Sequence, residues 1–261
     1  MPDQNTSDQA IPGRKITALV TGASAGMGAE FCRQLAERCD VIIAVARRIE
    51  RLQQLREELA DRVELHAVAA DLTSVEGVAR TMEALRQLGP VDYLVNNAGF
   101  STYGHFSDVE IAGQREMVGL HIDATITLCR AAIPFMRERG RGHIINVSSV
   151  GAFLPGKGLA VYGASKAFLN YFSLALQDEL AGTGIEVQSL CPGYTHTEFH
   201  AEIERAGFSK GQIPAGMWME AGAVVTASLA ALGSGKVLVV PGEVNAELAR
   251  KGYQRQLALL Q

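Results

Sequence analysis

Short apolar runs alternate with longer amphipathic segments along most of the chain. Residues 16–20, 41–46, 63–68, 93–96, 143–148, 185–190 and 237–240 read as strands. They are apolar without polar alternation, the pattern of strands buried on both faces. Helical segments are predicted at 26–38, 49–59, 75–88, 111–120, 122–139, 160–180 and 221–232, with one more over 243–261. In the second of these, Leu52, Leu55 and Leu59 fall on one side. Such a β, α, β, α succession predicts right-handed βαβ units. The expected class is α/β: a doubly wound parallel sheet of about seven strands with helices on both faces. A weakly periodic stretch from 195 to 217 breaks the rhythm and is expected to be a substrate-side loop. Residues 1–13 are polar, without the basic start and apolar core of a secretory signal, and are expected to form a disordered arm. Residues 14–261 then read as one domain without repeat or linker.

Composition narrows the function classes. Hydrophobic residues make up 48% of the chain and charged residues 20%, as in ordinary soluble proteins. A net charge of -4 argues against nucleic acid or an anionic membrane surface as partner. The longest apolar runs are far shorter than the roughly 20 residues that span a bilayer. Cys32, Cys39, Cys129 and Cys191 form no CxxC pair. They read as reduced, buried thiols, which makes a cytoplasmic protein the expectation.

The turn after the first strand is Thr21-Gly22-Ala23-Ser24-Ala25-Gly26-Met27-Gly28. Glycine there lets the backbone approach a phosphate closely. The helix that follows offers unpaired N–H groups and its positive dipole end. The spacing is GxxxGxG rather than GxGxxG, so the common dinucleotide fingerprint applies only in part, and a plain glycine-rich turn is the simpler alternative. After the second strand stand Arg47 and Arg48, where an NAD site places a carboxylate for the ribose 2′-hydroxyl. A guanidinium fork suits a 2′-phosphate, so NADP(H) is expected over NAD(H). Asp71, followed by Leu72, is placed either to accept from the adenine amino group or to cap the next helix. Asn96-Asn97-Ala98-Gly99 ends the fourth strand, as a plain turn or as a tie between strand ends that faces the ribose.

Tyr162 and Lys166 are four residues apart in a predicted helix and so share a face. A phenol titrates near about 10, and a neighbouring ammonium is expected to lower that value. Ser148-Ser149 ends the preceding strand, at the carboxyl edge where open α/β sheets bind ligands. A serine there would hold a substrate oxygen while hydride reaches carbon.

Together these motifs, with Pro192-Gly193, resemble the short-chain dehydrogenase/reductase family in its compact single-domain branch, from Lys15 to about Gly242. The resemblance implies a Rossmann-like sheet of order 3-2-1-4-5-6-7. It implies a catalytic serine thirteen positions before the tyrosine, which selects Ser149. It also implies nicotinamide contacts from Tyr194, Thr195 and Thr197, and a homodimer or homotetramer. One position departs: His121 stands where the family commonly has an asparagine that completes a proton relay. That asparagine acts largely through its backbone carbonyl, which any residue keeps. The imidazole, with an unperturbed pKa near about 6.5, either joins the relay or is a packing residue.

The expected function is an NADP(H)-dependent oxidoreductase acting on a ketone, aldehyde or secondary alcohol. A non-catalytic NADP(H)-binding sensor or scaffold is the alternative; the intact serine, tyrosine and lysine argue against it. A sugar-nucleotide epimerase shares the tyrosine and lysine, but little more than one helix follows the last strand here. His196 and His200 have a spacing that binds zinc on a helix, yet no third ligand stands out, and no metal is expected. Tyr103, Phe106, Phe153, Leu154, Phe199, Met217 and Trp218 are candidates for an apolar substrate pocket, Phe153 and Phe199 foremost. They fit a medium-sized hydrophobic ketone, aldehyde or acyl derivative.

Overall fold

A computed structural model describes residues 14–200, 204 and 207–260. The expected arm at 1–13 lies outside the described residues, as do 201–203 and 205–206 of the 195–217 stretch. The strands are β1 (Thr17–Thr21), β2 (Val41–Ala46), β3 (Glu64–Ala69), β4 (Tyr93–Asn96), β5 (Gly142–Val147), β6 (Ile185–Leu190), β7 (Tyr194–His196), β8 (Trp218–Glu220) and β9 (Leu238–Val239). Seven of them form one sheet in the order β3-β2-β1-β4-β5-β6-β9, every pair parallel. This is the Rossmann-like order expected, with β9 as the seventh strand. Among the described residues β7 and β8 pair only with each other, in a parallel ribbon that brackets the weakly periodic stretch.

The helices are α1 (Gly26–Leu35), α2 (Ile49–Glu58), α3 (Val75–Leu88), α4 (Ile111–Val118), α5 (Ala124–Arg139), α6 (Ala160–Glu179), α7 (Ala221–Ala231) and α8 (Glu243–Ala258). α1, α2 and α7 cover one face of the sheet, and α3, α5 and α6 the other. Alternate strand residues feed the two cores: Ile42, Ala44 and Ala46 of β2 enter the first, Ile43 and Val45 the second. That two-sided burial is why β2 carries no polar residue. No helix of the described residues is long and apolar enough to cross a membrane.

The two helices expected at 111–120 and 122–139 run on into each other through a π-helical turn, Gly119–Asp123. Such turns carry one extra residue per loop of helix and recur at functional sites. Here the turn carries His121, which is 1% exposed.

The amino edge of the sheet is pinned by one buried carboxylate. Asp92, 3% exposed, accepts from the Thr17 N–H at 3.0 Å, from Arg14 Nη2 at 3.2 Å and from Arg139 Nη1 at 2.7 Å. Arg141 Nε stands 3.4 Å away. An Asp92→Ala variant would leave three guanidiniums without their counter-charge. It is expected to lose about 3 kcal/mol of stability, read from the urea midpoint; an unchanged midpoint would contradict this account.

Candidate active site

The turns at the carboxyl ends of the strands enclose a cleft of about 890 Å³, where a doubly wound sheet binds its ligands. Gly22, Ser24, Gly26, Met27, Arg47, Arg48, Asp71, Leu72, Asn97, Ala98, Gly99, Ser149, Tyr162, Lys166, Pro192, Gly193, Thr195 and Thr197 all line it. Gly28 and His121, also singled out from the sequence, sit behind the wall rather than in it.

The glycine turn makes an anion cradle. Gly22 and Gly26 have φ of 66° and 53°, the left-handed region that favours glycine. A Cβ on Gly28 would lie 2.2 Å from the Gly22 carbonyl oxygen, so α1 packs on its own entry turn. Ala25 at the N-cap gives no side-chain cap, and the first turn of α1 holds no acid. The helix thus presents its first N–H groups and dipole to the cleft. Asn97 is a tie: its Nδ2 donates to the Thr21 carbonyl at 2.9 Å, while the Asn97 and Ala98 N–H groups donate to Thr21 Oγ1. Below it, Asn96 Nδ2 donates to Asn146 Oδ1 at 2.8 Å, and Asn146 Nδ2 to Ser173 Oγ at 3.0 Å.

The residues that follow β2, Arg47 and Arg48, bring no carboxylate of their own to the cleft. Arg47 is exposed there, and Arg48 donates from Nε and Nη2 to Ser24 Oγ at 3.3 and 3.1 Å. Asp71 does not cap α3, one of its two expected roles. Its Oδ1 accepts from the Thr73 N–H and hydroxyl, and Ser74 Oγ takes the cap by accepting from the Gly77 N–H at 3.0 Å. Asp71 instead shapes the turn that lines the cleft.

Ser149, Tyr162 and Lys166 converge on the opposite wall. Ser148 Oγ donates to the Lys166 carbonyl at 2.8 Å and is buried. Ser149 Oγ accepts from the Gly151 N–H at 3.0 Å, which leaves its proton to donate into the cleft. Lys166 Nζ donates to the Val147 carbonyl at 2.8 Å and lies 5.8 Å from the Tyr162 ring centroid. Burial pushes the lysine down to about 7. Burial also pushes the Tyr162 phenol up to about 12, with the Ser149 hydroxyl pulling the other way. The expectation that Lys166 lowers the phenol is therefore not met in the protein alone. Loss of hydration outweighs the neighbouring base, which burial itself drives toward neutrality.

His121 completes this wall from behind. Its Nδ1 is 2.9 Å from Ser165 Oγ, whose own proton goes to the Tyr162 carbonyl at 2.8 Å. Nδ1 must therefore carry the imidazole proton, and Nε2 is an acceptor. Nε2 is buried and has no hydrogen-bond partner among the described residues. A Cβ on Gly99 would stand 2.8 Å from Nε2 and 3.6 Å from Lys166 Nζ. Both groups thus border the space that this glycine leaves open. Burial, and then Lys166, hold the imidazole well below its usual range.

The end of the cleft nearest Tyr162 is aromatic and apolar. The Phe199 ring centroid lies 6.0 Å from that of Tyr162. Tyr194 stacks on Phe208 at 6.2 Å, and Tyr103 meets Phe208 edge-on at 6.0 Å. Leu154, Leu159 and Met217 fill the walls between. Phe153, a leading sequence candidate, is 1% exposed and packs with Cys191 and Ala249. It is a core residue because its turn folds inward under α8. Phe106 is 63% exposed and lies outside the cleft. Trp218 borders an adjoining groove and stacks on His196 at 4.9 Å.

A family model described as short chain dehydrogenase matches residues 16–206. The chain belongs to the short-chain dehydrogenase family. It is 37% identical over 202 residues to an NADP-dependent 3-hydroxy acid dehydrogenase of Salmonella typhi, covering 74% of this chain and 80% of that protein. To sulfoacetaldehyde reductase 2 of Chromohalobacter salexigens it is 36% identical over 184 residues, 69% of this chain and 73% of the relative. Among solved structures, a short-chain dehydrogenase from Sphingobium yanoikuyae in complex with NADPH superposes with a TM-score of 0.81 at 33% identity, over 94% of this chain and 96% of that one. The bulky-bulky ketone specific alcohol dehydrogenase from Comamonas testosteroni gives 0.79 at 30% identity, over 94% and 93%.

Several lining residues of this short-chain dehydrogenase carry no sequence signal. Arg51 and Glu198 reach the cofactor end only through an ion pair between residues 147 positions apart. Asn245 of α8 enters beside Gly193, where a Cβ would meet its side chain at 2.2 Å. His196 ends a strand, so the helical spacing that paired it with His200 does not apply. The described residues hold no group of three or more His, Cys, Asp or Glu side chains able to bind a metal.

Proposed function

We propose that this protein is an NADP(H)-dependent oxidoreductase that interconverts a neutral, hydrophobic ketone or aldehyde and its alcohol. The observation that carries the reading is the convergence of Ser149, Tyr162 and Lys166 on one wall of a cleft whose other end is lined by Arg47, Arg48 and Arg51. The NADP dependence of the Salmonella typhi relative and the NADPH in the Sphingobium yanoikuyae structure support it. The glycine cradle, the uncapped start of α1 and the donors Ser24, Arg47 and Arg48 fit a phosphorylated dinucleotide. When bound, the nicotinamide supplies or accepts the hydride.

The protein's own groups do the rest. The Ser149 hydroxyl holds the substrate oxygen. The Tyr162 phenol gives it a proton during reduction. Lys166, buried and titrating near neutrality, is poised to restore that proton at physiological pH. His121 is the buried acceptor beside Lys166 and steadies its protonated form. α5 and α6 expose Ile126, Phe135, Tyr171 and Leu174, which supports self-association through these helices.

The aromatic end sets the substrate class. Among the described residues lining it, the basic groups are Lys166 and His200, and burial lowers His200 below its usual range. A carboxylate or sulfonate there would lose its hydration without a matching cation. NADPH oxidation should be followed at 340 nm over aryl and bulky alkyl ketones, β-keto acids and sulfoacetaldehyde, with NADH in parallel. The neutral ketones are expected to exceed the anionic substrates by about tenfold or more in kcat/KM, with NADPH preferred. A preference for the anions would overturn the substrate class, and no turnover on any carbonyl would overturn the enzyme.

A further inference from the structure

One carboxylate stands among the cations of the cofactor end. Glu198, two residues past β7, reaches across the cleft to the start of α2. Its Oε2 accepts from Arg48 Nη1 at 2.8 Å and its Oε1 from Arg51 Nη1 at 2.5 Å. Arg51 first, and Arg48 next, hold this carboxyl below its usual range. The other edge of the Arg48 fork grips Ser24 Oγ. Ser24, Arg47, Arg48 and Arg51 therefore form a donor cluster whose resident anion is Glu198. The segment that bears it also covers the cradle, since Thr197 Cγ2 would touch a Cβ on Gly26 at 2.9 Å. One residue further, Phe199 faces Tyr162. The two ion pairs thus strap the segment from the chemical wall to the ribose end.

We infer that Glu198 is a specificity-determining residue: it occupies Arg48 and Arg51 until a ribose 2′-phosphate replaces it, which a 2′-hydroxyl does not do. The inference rests on the NADP(H) reading above. A phosphate brings more charge and one more acceptor oxygen than a carboxylate to the same guanidinium forks. The two anions repel if both remain. Arg48, Arg51 and Glu198 are all about half exposed, and ion pairs in that setting are weak, so the exchange is inexpensive. A neutral hydroxyl offers neither charge nor repulsion, and the strap stays closed.

The exchange is read by binding rather than turnover. Wild type and Glu198→Gln are titrated by calorimetry with NADP+, NAD+, adenosine 2′,5′-bisphosphate and adenosine 5′-monophosphate. The variant is expected to bind NADP+ and the bisphosphate about fivefold more tightly, with NAD+ and the monophosphate unchanged. Trp218 is the sole tryptophan; it lies on β8 opposite Tyr194 of β7, which stands four residues before Glu198. In wild type the bisphosphate, and not the monophosphate, should raise acrylamide quenching of its fluorescence. Equal or weaker NADP+ binding by Glu198→Gln, with wild type still preferring NADP+, would overturn the strap alone. A wild type that binds NAD+ more tightly than NADP+ would overturn the cofactor reading and the strap with it.

Discussion

Replacing Tyr162 by phenylalanine is expected to lower kcat by about a thousandfold while NADP+ affinity stays within about twofold. The substitution removes one hydroxyl and keeps the ring. Packing of that ring against His121, at 5.9 Å, and Phe199, at 6.0 Å, therefore survives. The cradle, Arg47 and Arg48 are untouched, so the ligand still has its anchors. On the proposed function, what is lost is the proton donor on the wall that holds Ser149 and Lys166. Ser149 still polarises the carbonyl, but hydride arrival would build an alkoxide with no proton to meet it. Single-turnover kinetics at saturating NADPH separates this loss from slow product release. A variant with wild-type single-turnover rate would remove Tyr162 from the chemistry.

Much of the frame was legible because the signals are local. β2 reads VIIAVA since both its faces are buried, and that run identifies a parallel strand without any tertiary knowledge. Gly22 and Gly26 announce themselves through backbone angles that other residues avoid. Tyr162 and Lys166 are one helical turn apart, so spacing alone brings them to one wall. What could not be read depends on distant partners. The π-helical turn that buries His121 conserves the helical pattern on both sides, so periodicity shows a break and not its geometry. Phe153 and Phe199 look alike in a sequence of loops, and only the position of α8 makes the first a core residue. Glu198 meets Arg51 through folding alone. The direction of the Tyr162 shift is hidden from the sequence for the same reason: a nearby ammonium is visible in the spacing, whereas the burial that outweighs it is not.

Lys166→Met carries the second large expectation, a loss of kcat of about a hundredfold or more combined with a gain in stability at neutral pH. Burial lowers Lys166 to about 7 in the folded chain, against about 10.4 when unfolded. Between these values the unfolded chain binds the extra proton. Stability must therefore rise with pH across this window, by at most about 1.4 kcal/mol per pH unit. Below pH 7 the penalty is fully present, and it fades as pH climbs toward the unfolded value. Methionine fills a similar volume with no charge to desolvate, so the variant should lack this slope. The buried thiols of Cys32, Cys39, Cys129 and Cys191 oppose it at higher pH. Burial raises each of them, so above about pH 9 the unfolded chain loses protons that the folded chain keeps. The comparison is therefore made from pH 7 to 9, by urea unfolding of both proteins under reducing conditions, so that the shared thiols cancel in the difference. The wild type is expected to gain on the variant as pH rises. Parallel curves would mean that Lys166 is no less basic in the fold than in the open chain, and its assignment as a group poised near neutrality would fall with them.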